Sequence, residues 1–167
     1  MMKFVLPIAL ALVASACARE IVSTVPFNSD EVSFIRKTGN AEISGQAFMR
    51  QNGGGVVTCA GQVVQLIPAG KYARERFTGI YGNEMGGKIG VLQSASQNGL
   101  DPQYLTMTKS ESCDAEGDFV FNNIAAGSYY VITAVTWTVG NQIIPEGGAL
   151  AKLVDIKDGQ KVRVLLN

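Results

Sequence analysis

Gly117-Asp118-Phe119-Val120-Phe121-Asn122-Asn123-Ile124-Ala125-Ala126-Gly127-Ser128-Tyr129-Tyr130-Val131 is the stretch on which the reading of this chain turns. Phe119 and Phe121 alternate with Val120 and Asn122, as on a strand with one buried face. A small-residue link, Ala125-Ala126-Gly127, then opens a second apolar run that continues to Val139. In that run Tyr129, Val131, Val135, Trp137 and Val139 share one face, and Tyr130, Ile132 and Ala134 the other. Apolar character on both faces predicts a central strand, covered on each side.

The same period extends outward. Ile43, Gly45 and Ala47 alternate with Glu42, Ser44, Gln46 and Phe48, which predicts a first strand from Ala41. Gln51 to Gly55 form a turn, and Val56 to Cys59 with Gln62 to Ile67 a second strand that Pro68 stops, since proline has no amide hydrogen to pair. Ala73 to Tyr81 reads either as a helical turn or as an irregular crossing, with Arg74, Glu75 and Arg76 as a surface ion-pair group and an anion site as the alternative. Gly82 to Gly117 is rich in Gly, Ser, Asn and Gln and reads as a long excursion. Pro145 to Gly148 is expected to turn the chain. Leu150 to Ile156 and Val162 to Leu166, around Lys157-Asp158-Gly159, are expected to close it as a hairpin. Upstream, Asn28 and Glu31 stand at capping-box spacing before Val32, Phe34 and Ile35, predicting a short helix through Lys37.

Three of these pieces, residues 42–48, 63–68 and 117–131, together resemble the transthyretin-like, carboxypeptidase regulatory-like domain. The resemblance covers residues 41–167 and implies an all-β, seven-stranded Greek-key sandwich of the prealbumin-like type, here with a short N-terminal helix and a long inserted loop. It places Gly117 at a tight turn and gives Gly127 a positive φ. Members commonly serve as non-catalytic modules of enzymes, receptors, adhesins and exported lipoproteins, so the resemblance transfers a fold and no catalytic residue.

The chain begins with Lys3, an apolar run from Phe4 to Val13, and Ala14-Ser15-Ala16-Cys17. This is the pattern of an export signal, too short to span a bilayer comfortably. It resembles a bacterial lipoprotein signal peptide, which implies cleavage before Cys17 and acylation of that cysteine. Ala14 stands where that family usually carries Leu, and Ala14-Ser15-Ala16 also suits ordinary signal peptidase, so a soluble periplasmic or secreted product is the alternative. The expected organisation is a signal peptide over residues 1–16, a lipid-anchored tether and short helix over 17–40, and the sandwich over 41–167. Ala18 after the cysteine points, by the same resemblance, to the outer membrane.

With Cys17 set aside for lipid, Cys59 and Cys113 remain as an even pair in an oxidising compartment, and a disulfide is expected; two independent buried thiols are the alternative. The chain has no histidine, which removes the usual Ser-His and Cys-His relays and leaves no zinc shell. A Ser-Lys pair among Lys109, Ser110, Ser112, Ser94 and Ser96 is the remaining route to a nucleophile, and no spacing selects one. We therefore expect no catalysis and no cofactor. The 14 basic and 14 acidic residues cancel and form no basic stripe, so nucleic acid is not an expected partner. Asp114, Glu116 and Asp118 around Gly117 are weak calcium candidates without the frame of a calcium loop. Tyr129, Tyr130 and Trp137 read first as core and otherwise as a stacking platform for sugar or peptide.

Two functions follow as expectations. The first is a membrane-anchored structural or protein-interaction module of the cell envelope, its partner an envelope protein met through the 82–112 region or a sheet edge. The alternative is an envelope ligand-binding module for carbohydrate or peptide, with calcium assistance at the acidic turn.

Overall fold

The computed structural model describes residues 21, 23–93, 100–141 and 143–167. The export segment and Cys17 lie outside them. The order of elements is β1 (Thr38–Arg50), β2 (Val56–Thr58), β3 (Val63–Pro68), α1 (Lys71–Tyr81), β4 (Gly86–Gly90), α2 (Pro102–Thr106), β5 (Lys109–Ser112), β6 (Asp118–Ile124), β7 (Gly127–Trp137), β8 (Glu146–Ile156) and β9 (Lys161–Leu166). The molecule is all-β with little helix, built as two sheets face to face. One runs β4-β8-β7-β3-β5; the other runs β2-β1-β6, with β9 also on β1. Neighbours are antiparallel except β1 and β9, which run parallel from Glu42↔Lys161 to Ala47↔Leu166.

Alternation along β1 delivers Ala41, Ile43, Gly45, Ala47 and Met49 to the interior. They meet Phe119 and Phe121 of β6, Leu66 of β3 and Tyr129, Val131 and Val135 of β7 in one buried cluster. β6 and β7 lie in opposite sheets, so the short Ala125-Ala126 link carries the chain from one sheet to the other. β7 is central, between β3 and β8. Its other face, at Tyr130, belongs to a second buried cluster with Ile67, Ala151, Tyr72, Ala73, Phe77 and Tyr104, formed where α1 and α2 cover the five-stranded sheet.

Several expectations change. Gly127 does not have a positive φ; the left-handed residue near the link is Asn123, at φ 55°. Residues 82–117 are not one long excursion, because β4, α2 and β5 lie within them. Gly86 and Gly87 form part of β4 with positive φ, a strand in which three of the five residues are glycine and leave too few side chains to reveal a period. Glu146, Gly147 and Gly148 do not turn the chain but begin β8. A Cβ at Gly148 would fall 1.8 Å from the Ile89 carbonyl oxygen, so glycine serves close strand approach there.

β8 and β9 are not a hairpin. β8 pairs with β7 and β4, β9 with β1, and Lys157-Asp158-Gly159 takes the chain from sheet to sheet. The first strand starts at Thr38 rather than Ala41. The expected short helix is a 3-10 turn over Ser33–Arg36. Asn28 accepts from the Asp30 amide at 2.9 Å. Glu31 caps a different element: its Oε1 accepts from the Lys71 amide at 3.1 Å, at the start of α1, where Gly70 has no side chain to do so.

Candidate functional site

α1 settles the ambiguous 73–81 region as helix because Tyr72, Ala73, Arg76 and Phe77 fall on one side, at the spacing of a helical face. Phe77 stacks on Tyr130 of β7 with ring centroids 3.7 Å apart and planes 9° from parallel. Successive helical residues point about 100° apart, so Arg74, Glu75 and Arg76 separate instead of forming one surface group. Arg74 pairs with Glu84 at 3.4 Å. Glu75 accepts from the Ser23 hydroxyl, from Thr24 Oγ1 at 2.6 Å and from the Val25 amide at 3.0 Å. Those bonds, that of Ser23 first, hold its carboxyl down to about 2. Arg76 is buried, and its Nη1 donates to the Ile21 carbonyl at 2.8 Å.

Residues 21 and 23–28 are therefore not a free tether. They lie on α1, and Phe27 completes an aromatic group with Tyr72 and Tyr104, at centroid distances of 5.7 and 5.9 Å. α2 presents Tyr104 to this group. It starts with Asp101, whose side chain accepts from the Gln103 amide at 2.8 Å, and Pro102, a residue suited to a first helical turn.

Between α1, α2 and the outer face of the five-stranded sheet lies a groove of about 210 Å³. Its floor is apolar: Ile67, Ile132, Ile89 and Ala149, one from each of four adjacent strands. Ile80 and Leu105 wall it, and Gln65, Arg76 and Tyr81 supply polar groups. The Tyr81 hydroxyl is buried and has no hydrogen-bond partner, the one such side-chain atom among the described residues. Burial pushes it well above the ordinary phenol range, so it stays a neutral donor. A pocket that is mostly apolar with a few polar groups converging on it is the usual form of a small-molecule site.

No family model and no curated protein matches the chain. Among solved structures, it is similar to a candidate carbohydrate binding protein from Pseudomonas aeruginosa. The two are 26% identical with a TM-score of 0.69, over 84% of this chain and 96% of the other.

The residues singled out in the sequence are distributed elsewhere. Cys59 and Cys113 form a disulfide with Cα atoms 5.8 Å apart, joining the end of β2 to the end of β5. Asp114, Glu116 and Asp118 lie in one turn. Asp114 Oδ1 accepts from the amides of Glu116 and Asp118 at 3.1 and 2.8 Å, and Asp118 pairs with Arg163 at 2.9 Å. No group of three metal-ligating side chains occurs among the described residues. Tyr129 and Tyr130 are fully buried, so they form no platform; their hydroxyls donate to the carbonyls of Ala125 and Glu84 at 2.8 and 2.7 Å. Trp137 is half-buried against the core and donates to Glu146 at 3.1 Å. Lys109, Ser110 and Ser112 line up on β5, with no hydrogen bond between the lysine and either serine. Ser94 and Ser96 lie outside the described residues. The sequence reading missed the groove because its residues come from six elements. The signal available was the recurrence of Tyr72, Phe77, Tyr81 and Tyr104 in a region otherwise poor in apolar residues.

Proposed function

We propose that this protein is an exported, lipid-anchored, non-enzymatic module of the bacterial cell envelope that binds carbohydrate in the groove beneath α1 and α2. The supporting observation is the groove itself: an apolar floor wide enough for one sugar ring, lined also by Tyr81, whose buried hydroxyl has no partner. A pyranose has an apolar face for such a floor and hydroxyls for Tyr81 and Gln65. The likeness to a candidate carbohydrate binding protein supports the same reading. In this proposal the two-sheet body is a transthyretin-like Greek-key sandwich whose motif residues build core and turns, and it contributes no catalytic residue.

Anchoring at Cys17 follows from the export pattern. Four Cα–Cα steps separate Cys17 from Ile21, which is already held on α1. Fully extended they reach about 14 Å. An acylated Cys17 thus keeps α1 and its groove close to the lipid surface, and Ala18 favours the outer membrane.

The test has two arms. A palmitate analogue should label the natural chain and not Cys17→Ser; an unlabelled natural chain refutes the anchor. Titration of a glycan panel should find a ligand that Tyr81→Phe weakens about tenfold, and a panel without binders refutes the carbohydrate reading.

A second reading, a protein-interaction module, has its own support. Ile143 is 97% and Leu92 80% exposed, at the end of the five-stranded sheet where Leu92 and Ile144 line one open depression. Capture of a single envelope protein that Ile143→Ser abolishes would favour it.

A further inference from the structure

Among the described residues, Arg76 is a cation without a counter-ion. It is 4% exposed, and of its donors Nη1 is taken by the neutral Ile21 carbonyl. The ion pairs among the described residues are Arg74–Glu84, Lys161–Glu42 and Arg163–Asp118. Its sequence neighbour Glu75 does not help, since both carboxylate oxygens are turned to Ser23, Thr24 and Val25. The Tyr72 ring lies 6.0 Å from the guanidinium carbon, at the outer limit for a cation–π contact. A buried charge is ordinarily paired, because withdrawal from water is costly without an opposite charge.

Arg76 lines the same groove as Tyr81, whose hydroxyl is partnerless, and among the described residues no Asp or Glu lines it with them. Two residues with hydrogen-bonding capacity to spare thus line one ring-sized space: Arg76, whose guanidinium asks for an anion, and Tyr81, whose buried hydroxyl asks for an acceptor. A single guanidinium balances one negative charge, which matches a carboxylate better than a doubly charged phosphate.

We infer that the groove is built for an acidic sugar, whose carboxylate meets the free N–H groups of Arg76 while the ring lies on Ile132 and Ile67 and a hydroxyl meets Tyr81. This rests on the carbohydrate reading above and narrows its substrate class to uronic acids.

The experiment is calorimetric titration of the mature chain, disulfide intact, with glucuronate, glucose, glucose 6-phosphate and butyrate, and then with an oligouronide. Glucuronate should bind at least tenfold more tightly than glucose and than glucose 6-phosphate, with affinity falling as salt is raised. Arg76→Gln should abolish that preference and Arg76→Lys retain part of it, whereas Tyr81→Phe should weaken both sugars alike. Tighter binding of the oligouronide than of glucuronate would identify the source as a polymer, and equal binding as the free acid. Should Arg76→Gln fail to fold, the ratio of glucuronate to glucose affinity in the unaltered protein decides alone. Equal affinity for glucose and glucuronate, or preference for glucose 6-phosphate, overturns this inference and leaves the carbohydrate reading standing. Binding of butyrate as tightly as glucuronate overturns the sugar part, and binding of none of the four overturns both.

Discussion

Phe34 stands where a side chain at position 127 would have to go: a Cβ built on Gly127 falls 2.5 Å from Phe34 Cε2. The ring belongs to the 3-10 turn before β1 and packs edge-on against Tyr129, centroids 5.3 Å apart. Glycine is therefore required by a neighbour and not by its own dihedrals. Gly127→Ala should lower stability by about 1–3 kcal/mol, the usual cost of overpacking. Adding Phe34→Leu should recover part of that loss. A double-mutant cycle in urea tests this, and a coupling energy near zero would show that Phe34 is not the cause.

The disulfide closes a separation of 54 residues that contains both helices, β4 and β5. In the chain-entropy account a loop of that length stabilises by about 4 kcal/mol. Cys59→Ala with Cys113→Ala should lower the melting temperature by on the order of 10 °C. Reducing agent should do the same to the unaltered protein and nothing to the double variant.

Both cases show what a sequence carries well. Alternation around Phe119, Phe121, Tyr129 and Val131 announces strands and a shared interior, because period two is a property of the strand itself. Which sheet each strand joins is not local. Lys157-Asp158-Gly159 looks the same whether it closes a hairpin or crosses between sheets, and only the pairing of β9 with β1 decides. β4 was invisible because Gly-Gly-Lys-Ile-Gly offers no alternation. The groove was hidden for a related reason. Arg76 sits at an inward helical position where a pattern reader expects an apolar residue, and residues 21 and 23–28 are held by hydrogen bonds and one aromatic side chain rather than by any period.

Tyr81 separates stability from binding. Its hydroxyl is buried without a partner, so removing it relieves a desolvation cost and breaks no hydrogen bond. Tyr81→Phe should melt at the same temperature or higher, with a gain of up to about 1 kcal/mol, while sugar affinity falls. A clear loss of stability would mean that the hydroxyl has a partner, such as an ordered water.

Asp114 organises its turn through two amides, and Asp118 is engaged by Arg163. Adding millimolar calcium should leave the melting temperature unchanged. Asp114→Ala should cost about 1 kcal/mol through the lost hydrogen bonds, with or without calcium. A calcium-dependent rise in the unaltered protein that Asp114→Ala abolishes would contradict the turn-forming role.

If Cys17 is anchored as proposed, Glu75 links pH to the reach of that anchor. Its carboxyl is held down to about 2 from an ordinary 4.5, first by the Ser23 hydroxyl and then by Thr24 and Val25. A depressed folded value means that the charged form stabilises the docked segment. That contribution is complete above the ordinary value and is lost as pH falls through about 2. Amide exchange at Val25, corrected for its intrinsic pH dependence, should therefore accelerate across this interval. Glu75→Gln should show fast exchange already at neutral pH, while amides in β7 stay protected. Releasing this segment lengthens the chain between Cys17 and the body, so vesicle-anchored Glu75→Gln should stand farther from the lipid by energy transfer. Equal distances for the two proteins would show that the short reach is set elsewhere, with Arg76 and its bond to Ile21 the next residue to test.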